Sequence, residues 1–275
     1  MLGLRGSGKT TYLAALWHYL ESGEIKDRLV VPQLQPDRNY LNGIRNSWLA
    51  LKPLGRTSLR TRATVSMQLK DRVVGTEISI TLPDLSGETF RLQWFTRKAP
   101  ASYADFARTC TGAFLFLHSD QVRRTHAIKA RLLKEGNDEG REQDIPIRAS
   151  ENWTPEQSST QVQIVDILQL LLGLREKELG MRLAVIVSAW DLVNAKIGPA
   201  SWLASRFPLL SQFLRANEAW LPSEVFGVSS QGGDLTNDRD RLLGAMTASA
   251  RCIAKVGDGT ESVSITAPLR FLLSI

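Results

Sequence analysis

The octapeptide Gly3-Leu4-Arg5-Gly6-Ser7-Gly8-Lys9-Thr10 limits this chain more than any other stretch. Its spacing is G-x-x-x-x-G-K-[ST], the pattern of a phosphate-binding loop. Glycines let the backbone turn tightly enough for its N–H groups to converge on β- and γ-phosphate oxygens. Lys9 supplies a point charge, and the Thr10 hydroxyl reaches Mg²⁺. The next residues, Thr11 to Leu20, place apolar side chains at 13, 16, 17 and 20, which is one face of a helix. A helix that starts at the loop aims its N-terminal dipole at bound anions. Gly3, Arg5, Gly6, Ser7, Gly8, Lys9, Thr10 and Thr11 are therefore the expected phosphate cradle. A glycine-rich turn leading into an ordinary core helix is the competing explanation.

A phosphate loop normally follows a buried central strand, and here Met1 and Leu2 alone precede Gly3. Two residues do not build a strand, so either another segment fills the centre of the sheet or the natural chain starts upstream. The second is the expectation, because an empty centre would leave buried backbone groups unpaired on both neighbours. The first strand thus counts as missing from this chain.

With 275 residues, one domain over 1–275 carrying a polar insertion at 119–160 accounts for the length. Cys110 and Cys252 offer neither a disulfide framework nor a zinc pattern, which points to a reducing, cytoplasmic setting. No apolar run reaches membrane-spanning length. The net charge of +6 is spread along the chain, densest at Arg56, Arg60 and Arg62, so a nucleic-acid partner is not expected.

Further along, Tyr40 to Leu49 suggests a short amphipathic helix. Residues 64–69 and 77–82 alternate polar with apolar and form a plausible antiparallel hairpin. The second of these strands runs into Pro83-Asp84-Leu85-Ser86-Gly87-Glu88. A strand ending in D-x-x-G after a phosphate loop is a second nucleotide signature: Asp84 would hold Mg²⁺ through water, and the Gly87 N–H would meet the γ-phosphate. Residues 103–110 read as helix, 113–117 as a buried parallel strand, 162–174 as helix and 183–187 as a second buried strand. That strand leads into Ser188-Ala189-Trp190-Asp191. Guanine-nucleotide proteins carry [NTS]-K-x-D here, with the Asp accepting hydrogen bonds from the guanine edge and the Lys covering the base. Asp191 is present, Ala189 occupies the Lys position, and Trp190 could offer a stacking face. Asp191 as a helix N-cap is the structural alternative. Helices are expected over 201–217 and 241–254 with a strand at 225–228 between them, whose turn, Ser229-Ser230, would complete the base pocket with backbone N–H groups. A last short helix is opened by Thr266 and Pro268.

This order of signatures resembles the TRAFAC class of P-loop GTPases. Thr-Thr-Tyr-Leu-Ala-Ala-Leu-Trp at 10–17, Asp-Leu-Ser-Gly-Glu at 84–88 and Ile-Thr-Ala-Pro-Leu-Arg-Phe-Leu-Leu at 265–273 are similar to the bacterial double-GTPase group. The resemblance implies an α/β P-loop fold, a mostly parallel Rossmann-like sheet flanked by helices with one antiparallel edge strand. It implies GTP and GDP as ligands, Mg²⁺ held by Thr10, Asp84 and either Thr57 or Thr61, and a slow, nucleotide-controlled switch. A bacterial stress or conflict system would be the setting, with another GTPase subunit or an effector as protein partner. Lys9, Gly87 and Glu88 would be the catalytic group. Glu88 stands where many Ras-like enzymes carry a water-orienting Gln, and its charge would face the γ-phosphate, hence slow turnover. An arginine finger could come from Arg56, Arg60 or Arg62, or from a partner. A non-hydrolysing pseudo-GTPase remains an alternative, and an ATPase a further one.

Overall fold

The computed structural model describes residues 1–32, 37–54, 64–83, 87–123, 158–175, 180–193, 196–259 and 262–274. Its centre is a four-stranded sheet. Strands β4 (Gly112–His118), β5 (Arg182–Ser188) and β6 (Ser223–Ser229) run parallel, and β7 (Ile253–Val256) closes the edge antiparallel to β6.

Side-chain alternation decides the layering. Phe114, Phe116, Ala184, Ile186, Phe226 and Val228 face one core, while Ala113, Leu115, Leu117, Leu183, Val185 and Val187 face the other. Near-continuous apolar runs have this period-two consequence: a strand buried on both faces feeds two helix layers. Helix α1 (Lys9–Ser22) covers the first face, with Tyr12 packed edge-on against Phe116 at 5.4 Å. It shares that face with α2 (Arg38–Leu49), the helix expected near 40–49, and with the C-terminal helix Ala267–Leu273. The helix Thr160–Gly173 and the pair Pro199–Arg206 and Pro208–Ala216 cover the second face.

A second, antiparallel sheet joins β1 (Leu29–Val30), β2 (Thr64–Asp71) and β3 (Glu77–Pro83). The predicted hairpin is its β2–β3 pair. Between the two sheets, Leu2 forms a parallel bridge with Leu115. Its N–H donates to the Phe114 carbonyl at 2.7 Å, and its carbonyl accepts from the Phe116 N–H at 2.9 Å. The chain therefore enters the phosphate loop from a strand position beside β4. Behind it lies a cavity of about 270 Å³, walled by Met1 and Leu2, by Ser79 to Thr81 of β3 and by Gly112 to Phe114 of β4.

Two local expectations are corrected. The helix expected over 201–217 is two helices, because Pro208 lacks the N–H needed to continue and opens the second one instead. The helix expected over 241–254 is a short helix Arg239–Leu243, a single turn Ser249–Arg251 and strand β7, which pairs with β6 and so satisfies that edge. Helix α3 (Gly87–Thr96) opens directly at the D-x-x-G glycine. Most of the expected insertion at 119–160 lies outside the described residues.

Candidate nucleotide site

The C-terminal ends of β4, β5 and β6 finish level with one another, His118 opposite Ser188 and Ser188 opposite Val228. Ligands of open α/β sheets bind outside the carboxyl ends of the parallel strands. The phosphate loop reaches this same edge: a side chain added at Gly8 would meet the Ser188 side chain at 2.9 Å. Gly8 has φ +86° and Gly3 has φ +140°, both in the region that favours glycine. A Cβ at Gly3 would strike the Phe116 carbonyl and the Ser7 hydroxyl at 2.8 Å. The loop's tight path is thus a packing requirement as well as a conformational one.

Lys9 is folded into the loop it serves. Its Nζ donates to the carbonyls of Gly3 at 2.8 Å and Leu4 at 2.9 Å and to the Ser7 hydroxyl at 3.2 Å, and the residue is buried. A buried ammonium needs such partners. Gly8 caps α1 without a side-chain hydrogen bond, and no acidic residue sits in the helix's first turn. The helix therefore offers N–H groups and a positive dipole end with no carboxylate of its own to occupy them. Thr10 and Thr11 lie half-buried in that turn, Ser7 is buried, and Arg5 and Gly6 are exposed. This arrangement suits a phosphate chain.

At the other end, Asp191 sits inside the single turn Trp190–Leu192, preceded by Ala189 in the left-handed conformation at φ 51°, ψ 48°. Asp191 is therefore not the N-cap of that turn. Its carboxylate accepts a hydrogen bond from the Ser229 hydroxyl, and that hydroxyl accepts one from the Gly232 N–H at 3.0 Å. The Ser229–Ser230 turn and Asp191, distant in sequence, are tied together while Asp191 stays exposed to solvent. Trp190 is corrected as a stacking face. Its ring is 3% exposed, lies edge-on to Trp202 at 6.3 Å and fills the space over Gly227, where a Cβ would come within 2.2 Å of it.

Gly87 is the first residue of α3, and Glu88 follows it in the same helix. Asp84, Thr57 and Thr61 lie outside the described residues, as do Arg56, Arg60 and Arg62. Among the described residues no cluster of three or more His, Cys, Asp or Glu side chains could hold a metal. Hydroxyl and carboxylate oxygens are the hard donors that Mg²⁺ takes, usually alongside substrate phosphates and water, so Thr10 fits such a site. Sequence reasoning missed several supports. Ser188 backs the phosphate loop, and its buried hydroxyl has no partner among the described residues. Ser119 donates from its hydroxyl to the Ala189 carbonyl at 2.8 Å. Trp48 donates to the Ser230 carbonyl at 2.9 Å. No short motif marks Ser119 or Trp48, because each acts on a segment far away in the chain, and the [NTS]-K-x-D pattern that includes Ser188 does not say that it backs the phosphate loop.

A phosphate cradle and an Asp-bearing strand end on one edge of a parallel sheet define a P-loop GTPase-type domain. A family model described as Double-GTPase 1 matches residues 1–272, and the chain belongs to that family. No curated protein and no solved structure matches it. Among the described residues no helix is long and apolar enough to cross a membrane.

Proposed function

We propose that this domain is a guanine-nucleotide-controlled switch with slow, Mg²⁺-dependent GTP hydrolysis, working with a protein partner such as a second GTPase subunit or an effector in a bacterial stress or conflict system. The observation that carries the reading is the convergence of the Lys9 loop and the Ser229-bonded Asp191 on one sheet edge.

Lys9 and the N–H groups of the loop and first helical turn hold the β- and γ-phosphates, with the Lys9 charge released from Gly3 and Leu4 as phosphate arrives. The Asp191 carboxylate accepts the guanine N1–H and C2-amino hydrogen bonds, and the Ser229–Ser230 turn offers N–H groups to the carbonyl edge. Thr10, Asp84 and Thr57 or Thr61 would hold Mg²⁺, which neutralises charge developing between the phosphates. The Gly87 N–H contacts the γ-phosphate, and Glu88 accepts a hydrogen bond from the attacking water. A negative charge so close to the γ-phosphate opposes attack, so intrinsic turnover is slow and an arginine supplied by a loop or a partner accelerates it.

Multiple-turnover assays with GTP and with ATP at matched Mg²⁺ test this. Slow phosphate release from GTP alone, lost with EDTA, is the expected result. GTP binding without release under any condition would make the domain a non-hydrolysing module, and equal turnover of ATP would make it an ATPase.

A further inference from the structure

Beneath the Ser229–Ser230 turn lies a tryptophan that the nucleotide reading does not use. Trp48, near the end of α2, is fully buried, and its indole Nε1 donates to the Ser230 carbonyl at 2.9 Å. Its ring is fixed on two sides, by the His18 imidazole of α1 at 5.3 Å and by the Arg251 guanidinium, also at 5.3 Å. The Cys252 thiol reaches the same carbonyl at 3.5 Å, and burial pushes that thiol up to about 12, so it stays protonated and a weak donor. Arg239 bonds the Leu51 carbonyl just after α2 at 3.2 Å, which ties the helix end to the segment that follows the turn.

Ordinary core burial does not require this bond, since a phenylalanine would fill a similar space. Its effect is geometric. A peptide unit is planar and trans, so holding the Ser230 carbonyl inward toward Trp48 turns the Gln231 N–H the opposite way. The buried Gln231 side-chain Nε2 has no partner among the described residues. The turn is thus anchored from below by Trp48 and from the side by the Ser229 bonds to Asp191 and Gly232.

We propose that Trp48 is a positioning residue for base recognition: its indole N–H sets the orientation of the Ser230 peptide and so the discrimination between guanine and adenine. This rests on the reading of Ser229 and Ser230 as the base-edge turn. Trp48 touches no part of the nucleotide; it acts through the turn.

Calorimetry on the whole chain and on Trp48→Phe tests it, with GTP, ATP and inorganic tripolyphosphate as ligands. Losing one buried hydrogen bond is expected to weaken GTP about fivefold and to reduce the GTP-to-ATP preference by the same factor, with tripolyphosphate binding unchanged. A purely structural role would weaken all three ligands together or none, and either result overturns the inference. The parent protein separates the two levels of the argument. Equal GTP and ATP binding by the parent overturns the base-turn reading itself, whereas a parent preference retained in full by Trp48→Phe overturns Trp48 alone. If Trp48→Phe does not fold, hydrogen exchange of the parent decides. GDP should protect residues 44–50 together with 226–233, and tripolyphosphate should protect neither. Protection of 226–233 by GDP with 44–50 unchanged would contradict the proposal.

Discussion

The two ends of the candidate site are built in opposite ways. The phosphate end is local: eight consecutive residues turn on themselves, and Lys9 bonds carbonyls five and six residues away. The base end is assembled from far-apart segments. Asp191 bonds Ser229 across 38 residues, and Trp48 bonds Ser230 across 182. A local cradle depends on backbone conformation and one charge, and it forms wherever glycines and a helix start coincide. A non-local pocket depends on the whole sheet holding its strand ends level, so it should be the more fragile half.

Removing Lys9 gives the largest effect and strikes the phosphate end alone. Charge-assisted hydrogen bonds are worth about 1.5–3 kcal/mol each, so Lys9→Ala should weaken GTP and tripolyphosphate alike by about 100-fold or more, measured by calorimetry. Loss of GTP binding with tripolyphosphate retained would break the division between the two ends.

Gly227→Ala should damage the base end through packing. The added methyl meets the Trp190 ring at 2.2 Å, and neither strand β6 nor the ring, wedged against Trp202, has room to yield. Overpacking of this kind costs about 1–3 kcal/mol, readable as a lower thermal midpoint. Tripolyphosphate binding by the folded fraction should persist.

A smaller effect is expected at Ser229. Ser229→Ala removes the hydroxyl that bridges Asp191 and the Gly232 N–H. GTP affinity should fall about fivefold with tripolyphosphate unchanged, the magnitude of one buried hydrogen bond.

How much of this was legible in the sequence follows the same division. The octapeptide was legible as a candidate phosphate cradle because such chemistry requires particular residues at fixed spacing. Asp191 and the Ser229–Ser230 turn could be placed by pattern, since each closes a buried strand. Trp190 could not: in sequence it stands next to Asp191, yet the third of a turn between neighbours in Trp190–Leu192 and the absence of a side chain at Gly227 draw its ring into the core. Trp48 was one of seven scattered tryptophans, and nothing local links it to residue 230. The helix expected over 241–254 failed for a related reason. Residues 253–256 satisfy an open sheet edge, and pairing of that kind overrides local helical preference.

The smallest prediction concerns pH. Burial holds the His18 imidazole below its ordinary value of 6.5, against the pull of Glu24 at 3.0 Å, and burial lowers His118 in the same direction. The unfolded chain therefore binds these protons first. Stability is full above about pH 6.5 and declines as pH falls from there toward the folded values. His18→Gln should flatten part of that decline in thermal melts between pH 7 and about 5.5, with His118 supplying the remainder. An unchanged slope would mean that His18 is solvated in the folded protein.

The central claim, that Asp191 reads guanine on a scaffold that binds triphosphate through Lys9, is tested most directly by calorimetric exchange of the base. The parent should bind GTP in strong preference to ATP, because adenine has neither the N1–H nor the C2-amino donor and leaves the carboxylate unsatisfied. Asp191→Asn should lose GTP affinity and gain affinity for xanthosine triphosphate, whose C2 carbonyl accepts from the new amide. Equal binding of GTP and ATP by the parent, or no gain of xanthosine triphosphate by the variant, would contradict the account.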